Sequence, residues 1–211
     1  LSTADQFIKS GMYKTVLVVG AEIQSSALDK STEGRSSAII FADGAGAAVL
    51  KRNEEGSGVL STHLHADGDF AEELYMKDPG SSREVRLSKD LLDSGSFNVV
   101  MNGNVVFKHA IVRFKEVIEE ALLKNELAAE DIDLLIPHQA NLRISNFVQK
   151  QMGLPENKVF NNIMHVGNTT AASIPIAMSQ AWEQGRIKEN DLLCLAAFGS
   201  GFTWASALIR W

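Results

Sequence analysis

Cysteine is nearly missing from this chain: among 211 residues there is one, Cys194. A lone cysteine closes no internal disulfide, and no Cys/His cluster has the spacing of zinc ligands. The default setting is reducing and cytoplasmic, and no metal is expected. Long apolar runs are missing too. None approaches the ~20 residues that span a bilayer, so no membrane partner is expected. Positive charge is in deficit, with 20 Lys and Arg against 26 Asp and Glu and a net charge of -6. Such a chain is not expected to hold nucleic acid through its overall field.

The start also lacks features. Residues 1–11 have no charged lead, apolar middle and small-residue cleavage site, so they do not read as a signal peptide. They read as an amphipathic helix already under way, with Ala4, Phe7 and Ile8 apolar and Gly11 closing it. The first residue is Leu1, and we expect a fragment or processed product of a longer chain.

What is present is ordinary for a globular protein: 45% apolar and 22% charged residues. That is enough for one sizeable domain or two small, closely packed ones. Thr15–Gly20 (TVLVVG) is a β-branched apolar run, the pattern of a strand buried on both faces. Ser36–Phe41 and then Gly44–Leu50 (GAGAAVL) read as a second element, a glycine-rich turn entering a strand. Gly58–Ala66 reads as a further strand, and Asp67–Leu92 as a polar loop excursion with room for a short strand.

Met101–Asn125 is the clearest helix. Val106, Ala110, Phe114, Val117 and Ala121 step by three or four along one stripe, and Phe107, Ile111, Ile118 and Leu122 widen it. Downstream come a strand at Asp131–Ile136, helices at Asn141–Met152 and Ala171–Gln184, and strands at Asp191–Phe198 and Phe202–Trp211. Strands alternating with helices define an α/β layered fold. A strand–turn–strand pattern occurs twice, VLVVGAE before FADGAGAAVLKR and LLCLAAF before GFTWASALIR. Two apolar strands can match by chance, but a duplicated α/β half is the more economical reading.

Three stretches carry residues able to do chemistry. In IPHQAN, His138 stands at the end of a strand and the start of a helix. Ligands gather at the C-terminal ends of strands in such folds, and a helix N-terminus favours a neutral imidazole. His138 either polarises a carbonyl or moves a proton, or it merely caps the helix. In GNTTAASIP, Asn168 is either a turn or capping residue or a donor to a developing oxyanion. In FGSGF, the turn after Phe198 either exposes backbone N–H groups around Ser200 for an oxyanion or simply joins two strands.

Together PHQANLRI, GNTTAASIP and AFGSGFTWASALIRW resemble the β-ketoacyl-[acyl-carrier-protein] synthase III family nearly word for word. FADGAGAAVL, STHLHADG and MNGNVVFK match it in the same order, so the likeness runs over essentially the whole chain. The resemblance implies a thiolase-like five-layer αβαβα fold of two similar halves, incomplete here at the N-terminus. Residues 1–100 would be the remainder of the first half and residues 101–211 the second. It also implies a reaction: an acyl group passes from acyl-CoA to a cysteine, then malonyl-[acyl-carrier-protein] loses CO2 and attacks the thioester to give a 3-oxoacyl product. Acyl-CoA and the malonyl carrier are substrates, and no cofactor is implied.

By the same resemblance, His138 and Asn168 bind the malonyl thioester carbonyl, and the Ser200 N–H belongs to an oxyanion hole. Arg35 would lie beside the CoA adenine. Gly103, Asn104, Phe107 and Phe198 would line the substrate tunnel. Gln139, Ala140, Asn141, Leu142 and Arg143, with Lys108 and Lys150, would meet the acidic carrier protein. A homodimer is implied. The family's nucleophilic cysteine falls upstream of Leu1, and Cys194, between Leu193 and Leu195 in a strand, reads as a buried small hydrophobe instead. Two alternatives stay open: a polyketide-priming condensing enzyme, and a non-catalytic subunit that completes a partner's fold.

Overall fold

The computed structural model describes residues 1–53 and 56–211. The opening segment is helix α1 (Ser2–Lys9), and Gly11 just beyond it takes a left-handed φ of 76°. The first apolar run forms β1 (Thr15–Glu22). After a short helix α2 (Arg35–Ala38), the small-residue run forms β2 (Gly44–Lys51). These strands are antiparallel, with Leu17 opposite Val49 and Gly20 opposite Gly46.

Two expectations fail here. Gly44 and Gly46 lie inside the strand, not in a turn leading to it. And β1 is covered on one face only: Leu17 is 62% and Val19 58% exposed, with Val49 beside Leu17 at 67%. The covered face meets helix α7 (Ser173–Glu183) and the turn before it. A Cβ at Gly20 would stand 2.5 Å from the Ala171 carbonyl oxygen, and one at Gly46 would stand 3.0 Å from the Pro175 ring. Glycine is therefore used for close approach, letting the start of α7 press onto the strands.

A second sheet is larger. It contains β3 (Gly58–Ala66), β6 (Leu134–Pro137), β7 (Leu192–Gly199) and β8 (Thr203–Arg210) in the order β3-β8-β7-β6. The β6–β7 pair is parallel, and the other two pairs are antiparallel. Both repeated strand–turn–strand segments thus form antiparallel pairs, β1 with β2 and β7 with β8. Because β3 pairs with β8, this sheet draws a strand from before residue 100.

Helix α4 (Gly103–Lys124) covers one face of the large sheet, packing Phe114, Ile118 and Leu122 against Leu135, Cys194 and Leu208. Helix α5 (Leu142–Gln151) joins the same layer through Ile144 and Val148. The opposite face takes α7, whose Ala177 and Ala181 meet Leu134, Leu193 and Ile209. The order is helices, sheet, helix, sheet. The polar excursion is more structured than expected. It holds β4 (Leu74–Met76), paired with β5 (Val99–Met101), and helix α3 (Lys89–Asp93) between them, with the buried Asp78 ion-paired to Arg83. A four-residue helix, α6 (Ile163–Val166), precedes Gly167.

Candidate active site

His138 follows the fully buried strand β6 and continues its ladder, its N–H donating to the Ala196 carbonyl at 2.7 Å. It is not a helix-start residue. Helix α5 begins at Leu142, and its N-cap is Asn141, whose Oδ1 accepts the Arg143 N–H at 2.9 Å. The cause of a neutral ring is therefore burial, which pushes the imidazole down to about 4. Its Nδ1 lies 2.6 Å from the Oγ of Ser173, the first residue of α7. That leaves Nε2 without a partner among the described residues.

Asn168 reaches the same place from the other sheet. Its N–H donates to the Ile40 carbonyl at 2.8 Å, and its carbonyl accepts the Ala42 N–H at 2.9 Å, a parallel bridge opposite Phe41. Gly167 before it takes φ 70°, and a Cβ there would stand 2.7 Å from that of Ala42. Asn168 Oδ1 accepts the Thr170 N–H at 2.8 Å, while Thr170 holds a left-handed φ of 45°. A β-branched residue in that region is strained, a feature that clusters at working sites. The turn role and the donor role are thus compatible: Oδ1 serves the turn, and the side-chain NH2 has no partner among the described residues.

His138 and Asn168 face one cavity of about 1370 Å³. Gly103, Asn104, Phe107, Phe198 and Ser200 line it as well. Ser200 is exposed in the turn between β7 and β8, where its carbonyl accepts the Thr203 hydroxyl at 3.0 Å. Thus the strand end, the asparagine turn and the glycine–serine turn converge, although the sequence separates them widely. Thr170 also lines the cavity, and its buried hydroxyl has no hydrogen-bond partner among the described residues.

Other expected residues lie elsewhere. Arg35 is the exposed first residue of α2, and it is not in the cavity wall. Gln139 is 2% exposed, so its side chain is not available to a carrier protein. Instead its Nε2 donates to the carbonyls of Pro137 and Phe160, and its Oε1 accepts the N–H groups of Asn162 and Ile163. A buried amide that satisfies four backbone groups is a clamp. Ala140 and Asn141 line the cavity, and Leu142 is half-buried. Arg143, Lys108 and Lys150 are exposed on α4 and α5, whose rings Phe107 and Phe147 meet at 6.5 Å.

Cys194 is fully buried in β7, and burial pushes its thiol up to about 12. Among the described residues no group of His, Cys, Asp and Glu could hold a metal ion. Sequence reading missed Ser173, five residues after Asn168 in the same motif. It also missed Asp43, which accepts hydrogen bonds from the N–H groups of Gln24 and Ser25 and from the Ser25 hydroxyl, tying Gln24 to the cavity wall. The Asp of FADG was visible, but its partners lie nearly twenty residues earlier.

The layered sheets and this cavity define a thiolase-like α/β protein. Residues 1–68 match the family model for 3-oxoacyl-[acyl-carrier-protein (ACP)] synthase III, and residues 122–211 match its C-terminal model. A β-ketoacyl-[acyl-carrier-protein] synthase III of Xanthomonas campestris is 46% identical over 212 residues, covering 100% of this chain and 62% of that protein. The crystal structure of the Aquifex aeolicus 3-oxoacyl-[acyl-carrier-protein] synthase III superposes with a TM-score of 0.88 at 40% identity, over 100% of this chain and 62% of that one. The priming β-ketosynthase of the R1128 polyketide pathway gives 0.84 at 29% identity, over 99% and 60%. The chain belongs to the 3-oxoacyl-[acyl-carrier-protein] synthase III family. It spans 62% of the length of the curated relatives named here.

Proposed function

We propose that this chain carries the decarboxylating half of an acyl-transferring, carbon–carbon bond-forming site. The observation behind this reading is a pair of side-chain nitrogens without a partner among the described residues, Nε2 of His138 and Nδ2 of Asn168, on the wall of one cavity. In the reaction, the bond from the malonyl α-carbon to its carboxylate breaks and CO2 leaves. The electron pair moves onto the thioester as an enolate, whose oxygen the two donors stabilise. Donors set in place beforehand favour the charge-bearing transition state over the ground state. The enolate carbon then attacks an acyl thioester, expelling a thiolate and giving a 3-oxoacyl product, the step that initiates fatty-acid synthesis.

The thiolate that holds the acyl group must come from outside these residues, because Cys194 is buried and protonated. Malonyl-[acyl-carrier-protein] and acyl-CoA are the proposed substrates. The exposed cations of α4 and α5 are the proposed face for the acidic carrier, and a cytoplasmic homodimer is the proposed assembly. The R1128 likeness supports polyketide priming as a related use of the same site. A second reading, a non-catalytic subunit completing a partner's fold, is favoured by the exposed Leu17, Val19 and Val49 face. The unpartnered donors argue against it, since a scaffold has no use for them.

The test is CO2 release from malonyl-[acyl-carrier-protein], with intact mass measured before and after acetyl-CoA. Slow release that Asn168→Ala lowers about a hundredfold, with no acetyl adduct on the chain, supports the reading. Release no faster than without protein, or unchanged by both His138→Ala and Asn168→Ala, overturns it.

A further inference from the structure

The hydroxyl of Ser173 is buried at 0% exposure and lies 2.6 Å from His138 Nδ1. The Gln139 N–H also points at this oxygen, from 3.4 Å, and so occupies its acceptor side. The hydroxyl proton then has one acceptor within reach among the described residues, the Nδ1 lone pair. A buried hydroxyl left without an acceptor costs about 1–3 kcal/mol, so the network is stable only when Ser173 donates and Nδ1 accepts. The proton of a neutral ring must then sit on Nε2, the nitrogen without a partner among the described residues.

We propose that Ser173 is a positioning residue that holds His138 as the Nε2–H tautomer. This turns the ring into a hydrogen-bond donor toward the cavity and removes its capacity to act there as a base. The consequence for catalysis rests on the decarboxylation reading: a donor stabilises an enolate oxygen, whereas a bare lone pair would repel it.

The fold supports this assignment from a distance. Ser173 stands at the start of α7, and the depth of that start is set by Gly20 and Gly46 beneath residues 171 and 175. Neither glycine touches the cavity. Both hold the helix close enough for its first side chain to reach the end of β6.

Nitrogen-15 NMR of the histidine-labelled chain at neutral pH tests the proposal without any activity. The five histidines are distinguished by comparison with His138→Gln. One-bond proton coupling at His138 Nε2 and none at Nδ1 is expected; coupling at Nδ1 overturns the proposal, and this measurement needs no Ser173 variant to fold. In Ser173→Ala the Nδ1–H form should become detectable, and CO2 release should fall about 10- to 100-fold, by analogy with loss of the partner that orients a metal-bound histidine. Ser173→Thr, which keeps the hydroxyl, should restore both readouts. A Ser173→Ala chain with unchanged tautomer and unchanged release refutes the positioning role. The Nε2–H form in a chain that releases no CO2 would sink the decarboxylation reading and leave the tautomer assignment standing.

Discussion

Phe41 and Asn168 lie side by side as a parallel bridge, so that the FADG segment holds the backbone of the asparagine that faces the cavity. The bridge depends on Gly167, which combines a left-handed φ of 70° with close approach to Ala42. Gly167→Ala should destabilise the chain by about 1–3 kcal/mol, from backbone strain and overpacking together. Urea unfolding measures the loss. CO2 release should fall with it even at temperatures where the variant stays folded, because Asn168 is displaced.

Burial lowers His138 from its ordinary 6.5 to about 4. The unfolded chain therefore binds a proton at higher pH than the folded one. Stability from this source is complete above about 6.5 and drains away as pH falls toward about 4, by on the order of 3 kcal/mol in all. Unfolding midpoints from pH 7 to pH 4 should decline less steeply in His138→Gln than in the parent. Equal slopes would mean that the ring is not neutral in the folded state.

Gln139 should behave as a structural residue. Gln139→Ala strips partners from two backbone carbonyls and two N–H groups around buried Phe160 and Asn162. A loss of about 2–4 kcal/mol is expected by thermal unfolding. A fully stable variant with weakened carrier binding would return Gln139 to the surface role that its motif implies.

Cys194 should resist alkylation at neutral pH while the chain is folded, since its thiol is enclosed and raised to about 12. Mass spectrometry with iodoacetamide should show one adduct in urea and none without it. An acyl adduct on Cys194 from acetyl-CoA would contradict both its burial and its protonation.

Arg143 is exposed on α5 and Lys108 on α4, helices whose Phe147 and Phe107 rings meet. If this face meets an acidic carrier, Arg143→Glu should raise KM for malonyl-[acyl-carrier-protein] several-fold with little change in kcat. The effect should shrink as salt rises, because exposed charges are screened over about 10 Å at 0.1 M. A change in kcat at constant KM would instead tie Arg143 to the chemistry.

Much of this protein is written locally. The stripe of Val106, Ala110, Phe114, Val117 and Ala121 is enough to specify α4, because a helix buries whatever recurs every three or four residues. The β-branched run specifies β1, the apolar run LLCLAAF specifies β7, and the wording around His138, Asn168 and Ser200 identifies the family. Tertiary structure alone decided the rest. Nothing within TVLVVG says which face α7 covers, since that depends on where α7 lies. Nothing within PHQAN says that Gln139 turns inward, that His138 is four residues short of its helix, or that Ser173 meets its ring. Periodicity and side-chain chemistry act between neighbours along the chain. Hydrogen-bond partners and burial are settled by segments that meet only after the chain has folded back on itself.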